Sequence, residues 1–217
     1  HPVTRFLRPD GTELLPRLAD RYDPLALHER LSAALEALGG DVPAYFQLLG
    51  RDLLIENGLS ERGIYTTPCF WSGETSFAQH PAVITTDAGW VDGEEAVQVQ
   101  FDPRAITRDD LDAYARAEGF APVARGSFRL DREPQFYLRK NAVRHLPLSA
   151  AQRTRLNLAV PYRNPIPDYL SPQQSAWLAH PLLQRVSDGE TYRQDIRDSW
   201  PVLKAKLDSA SEAIDAR

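Results

Sequence analysis

The sequence predicts an α/β chain of the α+β kind, a sheet with helices packed on one face. Three observations predict it. Residues 94–101 alternate apolar and polar side chains with period two, and a Val91-Asp92-Gly93 turn precedes them. Two further β-branched and aromatic runs, near 63–68 and 82–90, read as strands separated by one short helical stretch. Leucines recur at helical spacing on either side of this region, between recognisable start and stop residues. At 217 residues the chain can bury one sizeable core, or one domain with appended helices. The expected division is an arm and helical hairpin over 1–59, an α/β core over 60–160, and a loop with helices over 161–217, together one compact domain.

Composition narrows the function classes. The net charge is −5 with both signs interspersed, which leaves no electrostatic footprint for nucleic acid or a membrane surface. No apolar run approaches membrane-spanning length. A single cysteine excludes an internal disulfide and a cysteine pair for zinc, and the five histidines show no ligand spacing. No metal and no cofactor are expected. The chain begins at His1 and contains no methionine, which reads as a processed or trimmed product. Both a cytoplasmic and an exported location stay open.

Residues 1–22 read as an irregular arm with a turn at Pro9-Asp10-Gly11. Asp23 as N-cap and Pro24 at the first helical position open a helix on which Leu27, Leu31, Ala34, Leu35 and Leu38 recur, and Gly39-Gly40 ends it. A second helix is expected from Val42 to Glu56, with Tyr45, Phe46, Leu49, Leu53 and Leu54 on its apolar face and Asn57-Gly58 as its stop. After the first strand comes a helix from Ser72 to His80, then the strands 82–90 and 94–101. Thr107-Arg108-Asp109-Asp110 is a capping pattern for a helix with Leu111 and Tyr114 inward and Gly119 as its end. Two extended runs are expected, Pro122 to Leu130 and another containing Gln135-Phe136-Tyr137-Leu138. Ser149-Ala150-Ala151-Gln152 is a capping box for a helix to about Ala159. A proline-rich, aromatic stretch over 160–172 leads to two closing helices, Ser171 to Leu178 and Tyr192 to Ala213. Pro201 should kink or interrupt the second.

Cys69 stands at the junction between the first core strand and the helix that follows. Unpaired backbone N–H groups and the positive end of the helix dipole favour a thiolate at such a position. The same lone cysteine also fits a small buried apolar residue. Glu95 shares a strand face with Val97, Val99 and Phe101, because side chains alternate across a strand. Burial on that face disfavours a carboxylate charge and suits a general acid. A glutamate at the strand's end, reaching water, is the alternative.

The order of several blocks resembles the A-type peptide-methionine-sulfoxide reductases. Cys69-Phe70-Trp71 with Glu74 is similar to that family's Gly-Cys-Phe-Trp-Gly start, and Gly89-Trp90 to its Gly-Tyr pair. Glu94-Glu95-Ala96-Val97 running to Phe101-Asp102-Pro103 is similar to its His-Ala-Glu-Ala-Val strand ending in Tyr-Asp-Pro. Asp131, Gln135 and Phe136 fall where the family shows Asn-Asp…Gly-Thr-Gln-Tyr. The resemblance covers roughly residues 60–160. It implies a two-layer ferredoxin-like sandwich, Cys69 as nucleophile and Glu95 as proton donor. It implies Phe70, Trp71, Trp90, Asp131, Phe136 and Tyr137 around the substrate. The chain departs from the family at Pro68, which replaces a glycine, and at Trp90. A tyrosine-bearing loop before Glu95 is absent, and Phe136 takes another tyrosine's place, with Tyr137 beside it.

The implied activity is that of a one-cysteine, thiol-dependent oxidoreductase acting on methionine sulfoxide, free or in a peptide, or on a related sulfoxide. Attack would leave a sulfenic acid on Cys69. With no second cysteine, an external thiol or redoxin must regenerate it. Two alternatives stay open: the same thiol chemistry on a peroxide or another oxidised sulfur compound, and a non-catalytic binding protein on this scaffold.

Overall fold

The computed structural model describes residues 3–19 and 21–215. His1, on which the expectation of an exported chain turns, lies outside the described residues. The N-terminal arm is not irregular. Strands β1 (Thr4–Leu7) and β2 (Glu13–Leu18) pair antiparallel. The expected turn joins them: the Asp10 carboxylate accepts both the Thr12 N–H at 2.9 Å and the Thr12 hydroxyl at 2.7 Å, and Gly11 takes φ +84°. The proline and polar residues that suggested a loop sit in and beside this short two-stranded ribbon.

Helices α1 (Pro24–Ala37) and α2 (Ala44–Glu56) form the expected hairpin, and the Asp23 side chain accepts the Ala26 N–H as an N-cap. The buried faces differ from the expectation. On α1 it is Leu25, Ala26 and Ala34 that are buried, whereas Leu27, Leu31, Leu35 and Leu38 are exposed. On α2 Leu48, Leu53 and Leu54 are buried and Leu49 is exposed. Periodicity located both helices but not the side each turns inward. Gly50 decides part of this, because a Cβ there would meet the His28 ring at 2.3 Å.

The central sheet is antiparallel, in the order β6-β3-β5-β4-β7. Its strands are β3 (Glu61–Thr66), β4 (Val83–Val91), β5 (Glu94–Phe101), β6 (Ala121–Pro122) and β7 (Arg129–Leu130). From β3 the chain crosses through α3 (Phe70–Gln79) to β4 and returns between the two as β5. It then crosses through α4 (Arg108–Ala117) to β6 on the far side of β3. Asp92 and Gly93, both at positive φ, close the β4–β5 hairpin, as a primed two-residue turn requires. Tyr65, Phe77, Val97, Val99, Phe101, Leu111 and Ala115 form one buried cluster, so α3 and α4 cover the same face. The two long extended runs expected over 122–138 shrink to β6, β7 and a short 3-10 turn at Leu138–Lys140. Gln135 breaks the second run: it takes φ +52°.

Helix α5 (Ala150–Tyr162) lies along β4, where the Thr154 hydroxyl accepts the Thr86 N–H at 3.0 Å. Helices α6 (Pro172–Leu178), α7 (Leu183–Val186) and α8 (Ile196–Asp215) complete the chain. They do more than cover the sheet. Leu138, Val143, Leu146, Leu156, Trp177, Tyr192 and Leu203 belong to a hydrophobic core of their own. Helix α8 runs continuously through Pro201, which sits in its second turn and leaves the Arg197 carbonyl without its i+4 N–H. The expected capping box forms at Ser149/Gln152, and the structure adds a second at Ser171/Gln174. The two N3 glutamines also bond each other, Nε2 of each donating to Oε1 of the other at 2.8 and 3.0 Å. Among the described residues no helix is long and apolar enough to cross a membrane.

Candidate active site

Cys69 is the N-cap residue of α3, extended at φ −149° and ψ 113°, and half-buried. Its carbonyl oxygen accepts the Gly73 N–H at 2.9 Å, the first turn of the helix. Its side chain makes no cap bond. The cap comes from β5: the Phe70 N–H donates to Glu95 Oε2 at 2.8 Å. A carboxyl oxygen there satisfies an orphan donor and faces the positive end of the helix. Two backbone links fix Glu95. Its carbonyl accepts the Thr67 N–H at 2.9 Å, and it pairs opposite Trp90 across the β4–β5 ladder. Glu95 is half-buried at the end of its strand, less enclosed than Val97, Val99 and Phe101 on the same face.

Aromatic rings extend from the nucleophile in both directions. Phe70 meets Trp90 edge-on at 5.3 Å and Trp71 at 5.5 Å. Trp71 stacks on Phe136 at 4.0 Å and 19°, and Tyr137 meets Phe136 edge-on at 5.3 Å. Phe70 is only 6% exposed and belongs to the sheet core, so it supports the site from beneath. Trp71, Trp90, Phe136 and Tyr137 are half-buried. Asp131 binds a ring: its Oδ1 accepts Trp90 Nε1–H at 3.0 Å. Burial raises the Asp131 pKa, but that hydrogen bond, further backbone bonds and the Arg129 charge leave it below the usual carboxylate range. The Arg129 guanidinium lies 5.9 Å from the Trp90 ring centre and the Lys140 ammonium 3.6 Å from that of Phe136.

An open depression of 430 Å³ beside this helix start is lined by Thr66, Thr67, Pro68, Glu94, Glu95 and Ala121. The rings do not line it. Tyr137 lines a different groove of 480 Å³ on the outer side of α3, with Ser72, Thr75, Gln79, Glu118 and Tyr162. The structure thus brings Cys69, Phe70 and Glu95 to one helix start. Trp90 with Asp131 and Trp71 with Phe136 form flanking pairs, and Tyr137 lines the second groove. Two buried polar atoms in the Thr67–Trp71 segment, Thr67 Oγ1 and Trp71 Nε1, have no hydrogen-bond partner among the described residues.

Glu74 was not among the expected site residues, yet it organises the site from behind. It is fully buried on α3, and burial pushes its pKa up to about 8 against hydrogen bonds that favour the charge. Its Oε1 accepts the Ala88 N–H at 3.0 Å and the Gln135 N–H at 3.1 Å, and Asn157 Nδ2 approaches Oε2 at 3.4 Å. Asn157 Oδ1 in turn accepts the Tyr137 and Leu138 N–H groups. The Gln135 side chain donates to the Thr86 carbonyl and to Asp87. This network holds the left-handed turn at Gln135 that lays Phe136 over Trp71. A sequence signal for it existed: Phe70, Glu74 and Phe77 share the i, i+4, i+7 face of α3 that meets the sheet.

Among the described residues no group of three His, Cys, Asp or Glu side chains is placed to hold a metal ion. No known family model matches the chain, and no curated protein matches it.

Proposed function

We propose that the protein is a thiol-dependent oxidoreductase that reduces methionine sulfoxide or a related sulfoxide, with Cys69 as nucleophile and Glu95 as proton donor. The observation that carries this reading is the Phe70 N–H to Glu95 Oε2 bond at 2.8 Å, which sets the carboxyl at the peptide that follows Cys69. The succession β3-α3-β4-β5-α4-β6 with strand order β6-β3-β5-β4 supports a ferredoxin-like core, the fold that the resemblance implies.

The reaction balances as two electron pairs moved in succession. The Cys69 thiolate attacks the sulfoxide sulfur, the S–O bond breaks, and Glu95 protonates the departing oxygen. The oxygen, released as hydroxide from the Cys69-bound sulfonium so formed, attacks Cys69 Sγ and displaces the sulfide, so Cys69 is oxidised to the sulfenic acid. One external thiol condenses with it, releasing water and forming a mixed disulfide. A second thiol attacks that disulfide, restores Cys69 and leaves as the oxidised dithiol pair. Ring walls at Trp71 and Phe136 suit an apolar methyl group.

One observation favours a second reading, the same chemistry on a peroxide. The depression at Glu95 is lined by threonines and carboxylates, and Tyr137 lines the other groove. The test is turnover of both epimers of a methyl sulfoxide with excess dithiothreitol, in wild type and Cys69→Ser, with a sulfenic-acid trap in parallel. Turnover of one epimer that the mutation abolishes supports the reductase. A trapped sulfenic acid after peroxide, with no sulfoxide turnover, transfers the assignment to the peroxide. Neither signal overturns both.

A further inference from the structure

We propose that this site selects substrates that carry a carboxylate: a small anion whose apolar body lies on the ring wall while its charge is drawn by the combined field of Arg129 and Lys140. The inference rests on the reading of Cys69 as a nucleophile and names the substrate class for it. The rings run Trp90, Phe70, Trp71, Phe136, with Phe70 and Trp71 directly after Cys69. A cation stands over each end of that run, Arg129 over Trp90 and Lys140 over Phe136.

Stacking on a ring face leaves the N–H donors of both groups unused. Neither makes an ion pair within 4.0 Å among the described residues, whereas neighbouring Arg139 pairs with Glu133. Arg144 is likewise occupied, by the Arg139 carbonyl. Acidic groups work against the proposal: Glu94 and Glu95 line the depression, and Asp131 lies close enough to feel the Arg129 charge. Asp131 is already committed to Trp90 Nε1, and Glu95 to the Phe70 N–H. Arg129 and Lys140 are exposed cations whose donors no carboxylate among the described residues takes up. They steer an anion to the ring side, and Glu95 remains where the oxygen departs.

Two alkylating reagents of one shape and different charge test this without requiring turnover. The rate of Cys69 modification by iodoacetate is divided by that for iodoacetamide, at fixed pH, for wild type, Arg129→Gln, Lys140→Gln, the double variant and Lys140→Arg. The ratio should fall about three-fold for each glutamine, as exposed charge pairs do. It should fall further in the double variant, be restored by Lys140→Arg, and shrink in wild type at high salt. An unchanged ratio in a folded double variant overturns the proposal, as does a wild-type ratio insensitive to salt. A second arm compares N-acetylmethionine sulfoxide with its uncharged methylamide. If neither is turned over while the alkylation ratio behaves as stated, the reductase reading falls and the charge selection stands. If both are turned over equally and the ratio is flat, the selection falls and the reductase reading stands.

Discussion

Glu95 and Phe70 share one hydrogen bond, 2.8 Å from the Phe70 N–H to Glu95 Oε2, and through it a β5 side chain caps the helix that Cys69 begins. Nucleophile and carboxyl therefore compete for the same positive helix end. Glu95→Gln keeps an oxygen for the Phe70 N–H and removes the transferable proton. Sulfoxide turnover should drop about 100-fold or more, while alkylation of Cys69 by iodoacetamide, which needs no proton donor, stays within about two-fold of wild type. Turnover retained within a few-fold of wild type would remove Glu95 from the chemistry.

Glu95→Ala separates the structural part of this residue. It leaves the Phe70 N–H without a cap, which should cost about 1 kcal/mol of stability. Urea unfolding of Glu95→Ala beside Glu95→Gln measures it. Equal midpoints for the two variants would show that the cap is energetically idle.

Glu74 makes the fold sensitive to pH. Its pKa rises from 4.5 to about 8 on folding, chiefly by burial. Between those values the folded protein holds a proton that the unfolded chain has released. Stability is therefore greatest below the unfolded value and falls as pH rises toward 8, by up to about 1.4 kcal/mol per unit. Asp52 and Asp87, also raised by burial, act in the same direction. Chemical denaturation from pH 5 to 9 should show the decline, and Glu74→Gln should flatten it. A wild-type profile that climbs toward pH 8 contradicts the assignment.

Phe136→Ala should uncover Trp71. The stack at 4.0 Å is lost, at a cost of about 1 kcal/mol beyond the area exposed, and tryptophan emission should shift to the red. Asn157→Ala should produce part of the same shift from a distance, because it frees the Tyr137 and Leu138 N–H groups that anchor this segment. An unshifted spectrum in both would mean that Phe136 does not shield Trp71 from water.

The Gln152–Gln174 pair predicts strong coupling. Either glutamine replaced by alanine takes two hydrogen bonds from the other, which keeps its cap bond and one backbone carbonyl partner, at about 1–3 kcal/mol. Replacing both should cost less than the sum of the two single losses, which a double-mutant cycle reads directly. Additive losses would mean that each box stands alone.

Local chemistry was legible where a few neighbouring residues decide the outcome. Asp23, Thr107, Ser149 and Ser171 start helices as their types suggest, and Asp92-Gly93 turns the hairpin. Glu95 could be assigned to its face because β5 alternates cleanly. What required the tertiary structure was illegible. The exposed leucines of α1 have the same spacing as buried ones, and only the partner helix decides which side turns in. Residues 135–138 look like a strand, yet their N–H groups go to Glu74 and Asn157 rather than to a ladder. The bond between Glu95 and Phe70 spans 25 residues and leaves no local trace.

Beyond β4 the sheet ends in β7, only two residues long, and the stretch of β4 that β7 leaves uncovered is closed by side chains: Thr154 takes the Thr86 N–H, Gln135 donates to the Thr86 carbonyl, and Glu74 takes the Ala88 N–H. At the opposite margin, β6 is a two-residue strand that ends in Pro122, which has no N–H to offer. Neither border of the sheet therefore presents a free row of amide groups to a passing chain. A partner strand could add there only after α5 had been peeled away, so the fold resists the edge-to-edge growth that begins aggregation.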